Sequence, residues 1–264
     1  MVGTFSDHNK KQILKKYPLI LLFAFFLFSA CDKDEPGDTG PSGKLTEVAS
    51  YGLDVKEASG LSFGPEKKTL LTVSDNTGRI YELSLEGKVL RTLNYKGDDL
   101  EGVTYDKENN EIAVVEERKR QIVFVDYDSG NELRRFDIDV EVVDNNKGLE
   151  GISWNKNNHS FYIVNEKRPS KLIVWKEGMG NISEITLNLG SDNSGIFVDS
   201  QRATVWVLSD ESETLYECNY NGTKEKSFKL DINKPEGVVV DKENNRVYIV
   251  RDMFSKLFVL KFAE

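Results

Sequence analysis

Ten positions in this chain fall into five pairs with one spacing, and eight of the ten are carboxylic acids. Ser59 pairs with Asp75, Glu101 with Glu117, Glu150 with Glu166, Ser194 with Asp210 and Glu236 with Asp252, each 16 residues apart. Carboxylates gathered at close range repel and raise one another's pKa unless a cation or a basic side chain offsets them. Asp75, Glu117, Glu166, Asp210 and Asp252 are therefore the candidate metal ligands, with Asn76, Asn165 and Asn193 as neighbouring oxygen donors. An all-oxygen donor set suits a hard cation, Ca²⁺ before Mg²⁺. Glu101, Glu117, Glu150, Glu166, Glu236 and Asp252, with the basic Arg118 and Lys167, are the candidate ligand-contacting face. Arg251 also adjoins one of the acids and can offset part of the charge. The same acids have a structural reading, in which they accept hydrogen bonds from turn amides and stitch neighbouring elements together; both readings stay open.

The elements that hold these pairs repeat five times. A glycine follows the first member of each pair, at positions 60, 102, 151, 195 and 237, spaced by 42, 49, 44 and 42 residues. An apolar run opens at each glycine, a polar turn such as Asp106-Lys107-Glu108-Asn109-Asn110 follows, and a second apolar run comes next. These second runs are Leu70-Leu71-Thr72-Val73, Ile112-Ala113-Val114-Val115, Phe161-Tyr162-Ile163-Val164, Val205-Trp206-Val207-Leu208 and Val247-Tyr248-Ile249-Val250. Their β-branched and aromatic content marks buried strands. A third strand alternates apolar and polar residues, as in Arg79-Ile80-Tyr81-Glu82-Leu83, and a more polar fourth follows in four repeats. Four antiparallel strands per unit of some 40 residues describe a β-propeller blade. The fifth repeat ends after its third strand, whereas Leu45-Thr46-Glu47-Val48-Ala49-Ser50-Tyr51 precedes the first repeat without a partner. The expectation is an all-β, five-bladed β-propeller of four-stranded antiparallel blades, in which this N-terminal strand completes the last blade and removes an exposed edge. The two members of each pair then share one rim of the channel, because the second strand returns antiparallel to the first.

Composition narrows the function. The chain has 264 residues, 35 basic and 44 acidic, for a net charge of -9, and aromatics make up 10%. This is a folded chain rather than a disordered one. Its acidity excludes a nucleic-acid partner, which needs a cationic footprint. Two cysteines cannot form a disulfide framework, and two histidines leave little for a zinc site or a histidine-based triad. Cys218 reads as a buried small apolar residue, and Trp154, Trp175 and Trp206 read as core.

The N-terminus reads as an address. Lys10, Lys11, Lys15 and Lys16 precede an apolar run over residues 19–28, too short to span a bilayer. Residues 1–30 are expected to be a lipoprotein signal peptide. Leu27-Phe28-Ser29-Ala30-Cys31 is similar to a bacterial lipobox, with Phe28 where Leu is usual, which makes Cys31 the lipidation site. An ordinary signal peptide with a chance cysteine is the other reading. Residues 31–43, rich in Gly, Ser, Pro and charge, read as a flexible tether, and 44–264 as a single propeller domain. Loss of residues 1–30 takes four lysines and one aspartate, leaving a net charge of -12. The expected location is the bacterial cell envelope, lipid-anchored to the membrane, on the periplasmic or surface-exposed side of the outer membrane, as a monomer.

Laid out this way, the chain resembles the SdiA-regulated (YjiK-like) family of small bacterial propellers. The resemblance rests on Leu100-Glu101-Gly102-Val103 with Val115-Glu116-Glu117-Arg118, on Leu149-Glu150-Gly151-Ile152 with Asn165-Glu166-Lys167, and on Pro235-Glu236-Gly237-Val238 with Val247-Tyr248-Ile249-Val250. It implies an extracytoplasmic propeller with a calcium ion at the channel, and it implies no reaction; calcium-dependent phytases and lactonases are analogies of fold. Two functions follow as expectations. One is a lipid-anchored binding or scaffold module for a ligand or protein partner at the acidic mouth. The other is a calcium-dependent phosphoesterase or lactonase in the same channel, with Glu117 or Glu166 as base. His8 falls in the signal peptide and His159 in a turn at the opposite rim, so a histidine base is missing from the second.

Overall fold

The computed structural model describes residues 41–141, 147–167 and 169–263. The signal peptide, Cys31 and most of the tether lie outside the described residues, as does most of the long connection that gives the 49-residue spacing.

Strand-forming runs and turn residues alternate along the chain, and the described residues fold into five antiparallel sheets. Blade 1 is Ala58–Phe63, Leu70–Ser74, Arg79–Leu83 and Val89–Lys96. Blade 2 is Leu100–Asp106, Glu111–Glu116, Gln121–Asp126 and Glu132–Asp137. Blade 3 is Leu149–Asn155, Ser160–Asn165, Lys171–Lys176 and Gly180–Thr186. Blade 4 is Gly195–Asp199, Thr204–Ser209, Thr214–Asn219 and Lys224–Lys229. Blade 5 is Pro235–Asp241, Arg246–Arg251 and Lys256–Phe262, completed by Leu45–Gly52. That last strand pairs antiparallel with Lys256–Phe262, from Leu45 opposite Phe262 to Gly52 opposite Lys256. The five-bladed propeller with its borrowed closing strand is as expected. Ser42–Gly43, assigned to the tether by composition, adds a short parallel strand to the outer edge of blade 4 at Ser227 and Phe228.

The apolar core is divided among the gaps between blades. Strands buried on both faces send alternate residues to opposite neighbours. In blade 3, Phe161 and Ile163 pack toward blade 2 with Phe124 and Ala113, while Tyr162 and Val164 pack toward blade 4 with Val205 and Val207. The same alternation fills the other three gaps. Trp175 and Trp206 are core residues as expected. Trp154, near the end of its inner strand, is half-buried: it packs against the core cluster through Phe161 and also lines the far end of the channel.

The five repeat glycines sit where the inner strands crowd together. A Cβ on Gly60 would stand 2.7 Å from the Glu101 carbonyl oxygen, and one on Gly102 2.6 Å from that of Glu150. The corresponding distances are 2.8 Å to Ile196 N for Gly151, 2.8 Å to Glu236 O for Gly195 and 2.5 Å to Gly60 C for Gly237. Real Cβ atoms do not approach backbone this closely, so five blades can meet around the axis only where each inner strand has no side chain.

Candidate functional site

The inner strand opens differently in three of the blades. In blades 2, 3 and 5 the ladder skips one residue between Leu100 and Gly102, Leu149 and Gly151, and Pro235 and Gly237. The skipped residues are Glu101, Glu150 and Glu236. A β-bulge leaves its extra residue out of the ladder and re-aims it, and here it turns three glutamates to the channel mouth. Blade 4 has no bulge, and Ser194 Oγ donates to the Pro235 carbonyl instead (2.8 Å). In blade 1 the skipped residue is Gly60, and Ser59 Oγ donates to Glu101 Oε2 at 2.6 Å.

The mouth is a cavity of about 440 Å³ whose lining holds eleven carboxyl groups and one cation, Arg118. Asp75, Glu101, Glu117, Glu150, Glu166, Asp210, Glu236 and Asp252 all line it, so the equal spacing does place them on one rim. Lys167 does not; it pairs with Glu166 (2.9 Å) and Glu211 (2.6 Å) beside the mouth. Three acids in the lining were not singled out from sequence: Glu57, Asp99 and Asp192. Each stands two residues before the first member of a pair, and that offset was the available signal, broken by Gly148 in blade 3 and Lys234 in blade 5.

The second-strand acids do not form one five-membered set. Asp75, Asp99 and Glu101 bring one oxygen each to within 4.8 Å of one another, and so do Glu117, Glu150 and Glu166. Asp210 faces Asp192, whose carboxylate accepts from Ser209 Oγ at 2.6 Å. Asp252 belongs to neither three-residue group, and the charges it meets are those of Glu57, Lys234 and Glu236. Three side chains first grouped with the site are oriented by other contacts. Asn165 Nδ2 donates to the Pro169 carbonyl (2.7 Å) and Asn193 Nδ2 to Ser170 Oγ (2.6 Å), while Asn193 Oδ1 is buried without a hydrogen-bond partner, and Arg251 stacks on Phe254 and Phe258.

Charge compensation is uneven. Arg118 pairs with Asp99 (3.0 Å), and Lys147 lies 3.9 Å from Glu166 Oε1, the same oxygen that Lys167 approaches. Glu117 Oε1 accepts the Gly148 N–H at 2.7 Å, a position where any side chain would crowd Glu117 Cγ at 3.0 Å. Among the described residues, no protein group donates a hydrogen bond to the Glu150 or Glu236 carboxyl. The acidities follow. Burial first, then the charges of Glu101, Glu117 and Glu236, hold Glu150 well above the ordinary carboxyl value. Glu236 is raised likewise, by burial and then by Asp210 and Glu101. Burial followed by neighbouring acids pushes Glu101 up to about 8, although the Ser59 hydroxyl pulls the other way. By the same cause Glu117 rises to about 7, Asp210 to about 7 and Asp75 to about 6. Carboxyls this close either keep their protons at neutral pH or surrender them to a cation.

The donor set tests well against a hard divalent ion. It is all oxygen, it contains two three-carboxyl groups of the right compactness, and its central glutamates have no protein cation of their own. His159, by contrast, lies at the other rim against Glu108 (2.8 Å) and Trp154, remote from the acids.

Fold and site together define the class: a five-bladed β-propeller with a carboxylate-lined axial mouth. The chain belongs to the SdiA-regulated family, whose model matches residues 45–259. Its structure is similar to that of glutaminyl cyclase from Myxococcus xanthus, with a TM-score of 0.66 at 12% identity, over 85% of this chain and 100% of that one. It is also similar to virginiamycin B lyase from Staphylococcus aureus, with a TM-score of 0.50 at 18% identity, over 78% of this chain and 66% of that one. At these identities the likeness is one of fold alone.

Proposed function

We propose that this protein is a lipid-anchored, extracytoplasmic binding propeller that holds a divalent cation, Ca²⁺ before Mg²⁺, at its acidic mouth and presents that face to a ligand or protein partner. The observation that carries this reading is the inner ring of Glu101, Glu150 and Glu236, three bulge-aimed carboxyls without a protein cation. Glu101 with Asp75 and Asp99, and Glu150 with Glu117 and Glu166, would hold the ion, which would supply charge neutralisation and a point for an oxygen-bearing ligand. Arg118 and Lys167 hold the outer acids Asp99 and Glu166 in ion pairs. Elemental analysis after dialysis against Ca²⁺ tests the reading: bound calcium is expected in wild type and depleted in Glu150→Gln. Absence of calcium from both would sink it.

A hydrolytic role in the same channel has one observation in its favour. Glu117, pushed up to about 7, can exchange a proton near neutral pH. A panel of phosphoesters and lactones assayed with Ca²⁺ separates the two readings, since only the hydrolytic one expects turnover that Glu117→Gln abolishes. The anchor has its own test. Cys31→Ser should shift the protein from the membrane fraction to the soluble fraction.

A further inference from the structure

The far end of the channel carries a second pocket of different chemistry. It measures about 680 Å³ and is lined from all five inner strands by Phe63, Tyr105, Trp154, Phe197 and Val240. These residues lie near the C-terminal ends of the strands that begin with the acidic ring, roughly 10–13 Å along the axis at ~3.3 Å per residue. Phe63 and Phe197 meet edge-to-face at 6.0 Å and 84°, although their blades are separated by blade 5, where the smaller Val240 leaves room.

The pocket is held open by its own hydrogen bonds. Ser62 Oγ accepts the Tyr105 N–H (3.2 Å), Thr104 Oγ1 the Trp154 N–H (3.0 Å) and Ser153 Oγ the Val198 N–H (2.9 Å). Each hydroxyl ties one inner strand to the next beside an aromatic lining residue. Tyr105 is fixed further by Asn110 Oδ1 at 2.9 Å and by Tyr127, and Trp154 by Phe161 at 4.7 Å. Preformed aromatic pockets of this size suit small molecules rather than protein surfaces.

Charge selects the ligand further. Three acids of the rim have strong bases beside them: Glu66 has Lys107, Asp199 has Arg202 and Glu243 has Lys67, which Asp241 shares, while Glu108 contacts His159. Lys156 lines the pocket and forms no ion pair or hydrogen bond among the described residues. An ammonium without a partner in the lining of an aromatic pocket favours a flat apolar body that carries one negative charge.

We propose that the aromatic mouth is a second binding site, for a small planar anion such as an aryl carboxylate or sulfonate, with the rings of Tyr105, Trp154, Phe63 and Phe197 around its body and Lys156 on its charge. The site is independent of the acidic mouth. The probe is naphthalene-2-sulfonate, titrated calorimetrically into the full chain and followed by tryptophan fluorescence, in which Trp154 responds because Trp175 and Trp206 are buried. Saturable 1:1 binding in the sub-millimolar range is expected, unchanged by chelator and by Glu150→Gln. Lys156→Glu, an exposed change that leaves the melting temperature intact, should weaken it by about tenfold or more. Neutral 2-naphthalenemethanol and cellobiose should bind at least about tenfold more weakly than the sulfonate. No saturable binding, a Lys156→Glu variant that binds like wild type, or a neutral compound that binds as tightly would overturn the proposal.

Discussion

At the scale of single residues, the central tension is between burial and charge. Glu101 and Glu117, pushed up to about 8 and about 7, titrate above the 4.5 of an unfolded glutamate. Between these values the native state keeps protons that the unfolded chain has released. The contribution of these two carboxyls to the stability of the metal-free protein is therefore fully present below pH ~4 and is lost as pH rises through 8. Chemical denaturation of chelator-treated protein at pH 5 and pH 8 checks the sign, with the higher midpoint expected at pH 5. Glu150→Gln keeps the shape and removes one of the buried acids. It is expected to flatten this pH dependence and raise the apo midpoint at pH 8, while weakening Ca²⁺ at least about tenfold, a loss of ~1.4 kcal/mol. A variant less stable than wild type at pH 8 without metal would show that this carboxyl is structural.

At the scale of elements, the inner strands do two jobs that compete for the same few residues. The glycines let five backbones meet, and the bulges beside them aim the glutamates. Gly102→Ala brings a Cβ to within 2.6 Å of the Glu150 carbonyl, backbone that cannot rotate away, and should cost about 2–4 kcal/mol. Gly178→Ala is the control: φ is +77° but nothing lies within 4 Å, so only the left-handed strain of about 1 kcal/mol applies. Equal losses in urea melts would remove the crowding argument. The closing strand makes a separate prediction. A chain that starts at residue 53 lacks Leu45–Gly52 and exposes the edge of Lys256–Phe262, so it should aggregate or melt roughly 10 °C lower, whereas a start at residue 44 removes only the short Ser42–Gly43 pairing.

At the scale of the whole molecule, the ring and one of its mouths were legible from sequence because both obey a fixed repeat. The 16-residue offset survives in every blade, and strand alternation follows from burial on two faces. What escaped obeys no complete repeat. Asp99, Asp192 and Glu57 share an offset that Gly148 and Lys234 interrupt, so the acidic mouth is more acidic than the pairs alone imply. Asn165 and Asn193 sit beside site residues in the chain but spend their amides on backbone carbonyls, a choice that only folded geometry decides. Trp154 looks like its two buried counterparts in sequence, and only its place in the lining of the far pocket separates it from them. The result is a channel with two unlike ends, one of oxygen and charge, the other aromatic.

The oxygen end carries the central claim, and calorimetric titration of Ca²⁺ into chelator-treated protein tests it most directly. At pH 7 in two buffers of different ionisation enthalpy, saturable binding with protons released is expected, because Glu101 and Glu117 must ionise to hold the ion. At a hundredfold excess over Kd, stabilisation of about 2.7 kcal/mol should accompany it. Heat no greater than dilution, with no proton release and no change in melting, would contradict the account.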